Sequence, residues 1–132
     1  MLKRIKLADN GKINAFACKW LNKFKSSDFL WIEFEDNFGK DCEALGFIMD
    51  CGNSFNAKYS REIQELKERG INIYSNSECL NKIINVVNDV EVLGAAIFSQ
   101  WRYWTHWHMG SLADTDIDWF IVALDRLAKI TE

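Results

Sequence analysis

A chain of 132 residues, 48% hydrophobic and 27% charged, has the size of one globular domain spanning residues 1–132, and its composition excludes the disordered and fibrous classes. No run of about 18 apolar residues marks a membrane span, and the N-terminal MLKRIKLADN has charges with no apolar stretch behind them, so a cytoplasmic protein that is neither secreted nor membrane-bound is expected. The net charge of −3 is unevenly laid out, +6 over residues 1–25 and −9 over the remainder, which disfavours nucleic acid as a partner.

Residues 2–8 read as a short strand with Ile5 and Leu7 on one face. Ile13, Phe16, Ala17, Trp20, Leu21 and Phe24 then recur at helical spacing, the apolar stripe of a helix lying on a core, with Lys12, Lys19 and Lys23 on a ridge beside it. Phe29 to Glu35 is rich in β-forming residues and breaks at Asp36-Asn37-Phe38-Gly39, after which Leu45, Phe47 and Met49 alternate within Glu43 to Asp50. That pattern predicts a β-hairpin. Beyond a turn at Cys51 to Ser54, a helix capped by Ser54 or Asn56 runs to Arg69, and Gly70 closes it in the left-handed conformation. Ile71 to Tyr74 reads as a strand. Ser75 and Glu78, at capping-box spacing, open a helix with Leu80, Ile83, Ile84 and Val87 inward.

Val90, Leu93, Ile97, Trp101, Trp104 and His108 follow at steps of 3, 4, 4, 3 and 4, and Asn88 with Glu91 forms an N-terminal box, so a helix is preferred there to a strand. The last element is a helix opened by Thr115 and Asp118, with Ile117, Phe120, Ile121, Leu124, Leu127 and Ala128 on one face. Trp20, Phe24, Ile84, Phe120, Ile121 and Leu124 are the expected core. Helices and strands alternate irregularly around a hairpin. The fold class expected is therefore α+β, a small, largely antiparallel sheet covered by about four to five helices.

Leu93 to His108, LGAAIFSQWRYWTHWH, concentrates chemistry: three of the six tryptophans, both histidines and Arg102. Trp101, Arg102, Trp104, His106 and Trp107 are the candidate binding residues, with Asp50 as a carboxylate able to orient His106. Positions 102 and 106 share a face in a helix and in a strand alike, and a neighbouring guanidinium keeps an imidazole neutral. The same residues also fit a purely structural role, anchoring the segment to carbonyls or to a buried carboxylate such as Asp50.

No metal or other cofactor is expected. His106 and His108 suit chelation only on a strand, with Asp114 or Asp116 as third ligand, and no HExxH pattern accompanies them. Gly46, Gly52 and Gly94 stand singly, without phosphate-loop spacing, and Ser99 lacks a nucleophile-elbow context. Cys18, Cys42, Cys51 and Cys79, separated by 24, 9 and 28 residues with no CxxC pair, read as reduced structural thiols. Cys51 would gain reactivity only if presented at a helix N-terminus.

The residues LGAAIFSQWRYWTHW, with LGFIMDCGNSF at 45–55, resemble an uncharacterised family of small bacterial and phage proteins, over about residues 30–130. The resemblance implies a cytosolic protein and carries no activity to any residue.

With no recognisable catalytic constellation, the leading expectation is a small non-enzymatic interaction protein of the immunity, antitoxin or phage-inhibitor kind. Its partner would be another protein, met through aromatic and arginine side chains of the type that dominate binding hot spots. The first rival is an enzyme or small-ligand binder whose tryptophan-lined pocket uses Arg102 to grip an anion and His106 as acid or base. A second is a structural subunit with an aromatic homodimer interface.

Overall fold

The computed structural model describes residues 7–26, 31–47, 64, 66–71, 84, 87–107 and 114–132. Among these the elements in chain order are α1 (Asn10–Lys25), α2 (Trp31–Glu33), a π-helical turn (Phe34–Phe38), α3 (Gly39–Ala44), α4 (Val90–Trp107) and α5 (Asp114–Ile130). The described residues contain no strand, so the fold is all-α there, and the expectation of an α+β protein with an antiparallel sheet is corrected.

α1 forms where its periodicity places it. The Asp9 carboxylate accepts from the Lys12 amide at 2.9 Å, and Lys23 and Lys25 occupy the last turn, against the negative end of the helix. All six residues of the apolar stripe are buried. The helix ends at Ser26, whose backbone turns extended.

The correction is sharpest between residues 31 and 47, where a hairpin was expected. Phe34, Phe38, Cys42 and Leu45 lie 4, 4 and 3 apart, and all are buried. Steps of 4, 4 and 3 are those of Ile13, Ala17, Leu21 and Phe24 in α1, the stripe of a helix. Within this segment one wide π-turn holds Phe34 and Phe38, with ring centroids 4.9 Å apart, both buried. Aromatic residues that suggest a strand in isolation are therefore inward knobs of a helix, because burial outweighs intrinsic preference. The apparent turn Asp36-Asn37-Phe38-Gly39 lies inside helical structure. The real reversal comes later, at Gly46 (φ 79°), where the Gly46 amide donates to Glu43 O at 3.0 Å and the Phe47 amide to Cys42 O at 3.1 Å. This is a Schellman cap.

Gly70 closes its helix in the same way, as expected: φ is 86°, and the Gly70 and Ile71 amides donate to Lys67 O and Leu66 O at 2.9 and 2.8 Å. Residues 7–9 are neither helix nor strand, and the remainder of the expected first strand, the strand after Ile71 and most of the 54–69 and 75–87 helices lie outside the described residues. Ile84 is helical and fully buried.

α4 is the central element. Val92 to Gln100 are nine consecutive buried residues, the mark of a helix enclosed on every side. Its N-cap is Asp89, whose Oδ1 accepts from the Glu91 and Val92 amides at 2.9 and 3.4 Å, one residue beyond the expected Asn88. Asn88 instead meets the Arg126 guanidinium of α5, which also donates to Val87 O at 2.8 Å. Small residues let neighbours approach α4: a Cβ at Gly94 would lie 2.6 Å from the Phe47 ring. Two polar atoms in this core, Ser99 Oγ and Trp119 Nε1, find no hydrogen-bond partner among the described residues.

α5 packs along α1, the most extensive helix pair among the described residues. Asn14 Nδ2 crosses from α1 to donate to Ala128 O at 2.8 Å and to Thr131 Oγ1 at 3.3 Å. Phe120 and Leu124 are buried as expected, whereas Ile121 is only partly so; Trp119 and Ala123 are buried in its stead, so the inward face is turned slightly from the one expected. Cys18 and Cys42 are free thiols, one exposed and one buried; Cys51 and Cys79 lie outside the described residues. No helix among the described residues is long and apolar enough to cross a membrane.

Candidate functional site

The candidate residues 101–107 occupy the last turns of α4, where the helix leaves the core. Trp101, Arg102, Tyr103 and Thr105 are half-buried, following directly on the fully buried Ser99 and Gln100. Thr105 Oγ1 donates back to Trp101 O at 2.9 Å. The helical backbone sets positions 102 and 106 one turn apart, as the sequence spacing requires. The side chains of Trp104, His106 and Trp107, and all of Asp50, lie outside the described residues.

Trp101 has a role the sequence did not signal. Its indole Nε1 donates to Phe34 O, the first carbonyl of the π-turn, at 3.0 Å. The other end of the ring lies on Gly39, where a Cβ would collide with the six-membered ring. The indole thus spans the π-turn from its first residue to the residue just after it. Its neighbour on α4, Phe98, packs at 5.7 Å between centroids.

The basic ridge of α1 is largely engaged within the molecule. Lys19 Nζ pairs with Asp41 Oδ2 at 3.0 Å, Lys23 pairs with Glu33, and each ammonium lies 5.5 Å from the Trp20 ring centroid. Asp41 Oδ2 also accepts from Trp20 Nε1 at 2.9 Å, so one carboxylate holds a cation and an indole together. Beside this cluster is a shallow groove of about 250 Å³ lined by Ala15, Phe16, Lys19, Asp41, Ala44 and Leu45. The spacing of Lys19 and Lys23 signalled the ridge, but their acidic partners sit in the segment expected to be a hairpin.

Among the described residues no three His, Cys, Asp or Glu side chains gather in a way that would hold a metal ion. Comparison of the chain with family models, with curated proteins and with solved structures finds no match. The class that the described residues define is an all-α fold built round a buried central helix.

Proposed function

We propose that this is a non-enzymatic binding protein of the immunity, antitoxin or inhibitor kind, and that it meets a protein partner with the end of α4. The observation that carries the reading is the emergence of this helix: nine buried residues, and Trp101 turned inward after them, give way to half-buried Arg102 and Tyr103. Arg and Tyr are among the residue types enriched at binding hot spots, because each joins a large apolar area to a polar end. A helix held on all sides presents them at little cost in ordering. The charge of −9 beyond residue 25 favours a partner with a basic surface.

The test is affinity capture from the native host with wild-type, Arg102→Ala and Tyr103→Ala baits, beside melting curves. The reading expects a defined protein held by the wild type and lost from the variants, with melting temperatures within a few degrees of each other. Undiminished capture by both variants refutes it. A variant that loses stability by roughly 2 kcal/mol or more identifies a structural role instead.

A further inference from the structure

The π-turn does geometric work that an α-helix could not, and Trp101 is placed to control it. Glu33 and Asp41 flank the turn and pair with Lys23 and Lys19, one turn apart on α1. Eight residues of pure α-helix would leave Glu33 and Asp41 ~80° apart around the axis; absorbing one residue in a π-turn brings them to within ~20°. Both carboxylates then face the same lysine ridge. The Trp101 indole bridges this turn, bonded to Phe34 O at 3.0 Å and seated on Gly39, which has no Cβ to exclude it.

We propose that Trp101 is a register lock. With the indole seated, the Phe34–Phe38 turn stays π-helical and Glu33 reaches Lys23. With the indole withdrawn, the turn tightens to α-helix, the residues before it rotate by about one residue's worth, ~100°, and the Lys23–Glu33 pair opens while Lys19–Asp41 stays closed. Ile32, already 65% exposed, rotates with Glu33. The element therefore has two discrete arrangements, which a coupling device requires. Because Trp101 adjoins Arg102 and Tyr103, a protein drawing on the end of α4 would shift α2. That link rests on the binding reading; the lock itself does not.

Zero-length carbodiimide crosslinking of the full chain, read by peptide mass spectrometry, tests the lock without any partner. The wild type should give both Lys23–Glu33 and Lys19–Asp41 crosslinks. Trp101→Ala and Gly39→Ala, which remove or displace the indole by different routes, should each reduce the first crosslink at least fivefold and leave the second near its wild-type yield. Deleting Asn37 from the Trp101→Ala protein removes the residue that the π-turn absorbs, and should restore Lys23–Glu33. Retention of both crosslinks in a variant, their joint loss while helical circular dichroism persists, or failure of the deletion to restore the first overturns the proposal. If Trp101→Ala does not fold, Gly39→Ala and its Asn37 deletion decide the matter by the same criteria.

Discussion

Replacing Phe120 by Ala removes the ring on which three helical segments converge. Phe120 is fully buried, with centroids 5.6 Å from Phe24, 5.1 Å from Phe34, 5.8 Å from Phe38 and 5.1 Å from Trp119. Truncation of a buried Phe costs about 3–5 kcal/mol, depending on how far the surroundings collapse into the space left. Here the walls are other rings anchored on α1, the π-turn and α5, each held by its own helix, so little collapse is available. Aromatic pairs contribute ~0.5–1.5 kcal/mol beyond their buried area, and four such pairs are lost together. The expected cost is therefore at the upper end, about 4–5 kcal/mol, a large part of the ~5–15 kcal/mol that stabilises a typical domain. Urea denaturation followed by tryptophan fluorescence measures it, and the melting point should fall by roughly 15–20 °C. A loss under about 2 kcal/mol at unchanged denaturant slope would refute the reasoning, because the ring would then not join these segments.

Ser99→Ala should leave stability unchanged or raise it by about 1 kcal/mol, since it deletes a buried hydroxyl with no partner among the described residues and improves helix propensity; a drop beyond about 1 kcal/mol in the same urea assay would show that the hydroxyl is bonded. Asp89→Ala should cost about 1 kcal/mol by uncapping α4, whereas Asn88→Ala, on the residue the sequence suggested as cap, should not reproduce the loss of amide protection in the first turn of α4 by hydrogen exchange. Asn14→Ala should cost about 1–2 kcal/mol through its bonds to Ala128 O and Thr131 Oγ1, and the loss should appear in thermal melts as strongly with Thr131→Val as background as without it only if the carbonyl bond dominates. In the native protein Cys18 should react with a thiol reagent within minutes and Cys42 only on unfolding; equal rates would contradict their placement.

What the sequence made legible is what a simple period encodes. The α1 stripe and the helical character of residues 90–107 needed only spacing, and Gly70 needed only its freedom to adopt positive φ. The segment 31–47 misled because Phe34 and Phe38 are β-formers when judged singly and their spacing of four shares a face in a strand as well as in a helix, so the apparent turn at Asp36-Asn37 outweighed the helical stripe of Phe34, Phe38, Cys42 and Leu45. A π-turn leaves no signature in composition; it becomes sensible only once Trp101, 67 residues away, is known to lie across it. For the same reason the site was half legible. Trp101 and Arg102 were picked out by residue type, yet nothing local indicated that the tryptophan faces inward to Phe34 and Gly39 while Arg102 and Tyr103 remain partly open to solvent.

The pairing of α1 with α5 also bears on how the protein is made. Asn14 and Ala128 are 114 residues apart, so α1 leaves the ribosome well before the helix that packs along it. Until α5 leaves the ribosome, α1 lacks the helix that packs along it, and Phe24 lacks the Phe120 ring stacked on it. The nascent chain is thus exposed to association until α5 emerges, and closure of the long loop between the two helices comes only then, when its entropy cost is met by many contacts at once. Folding on the ribosome should be late and abrupt, with a fluorescence or force signal that appears only after residues 114–130 have emerged.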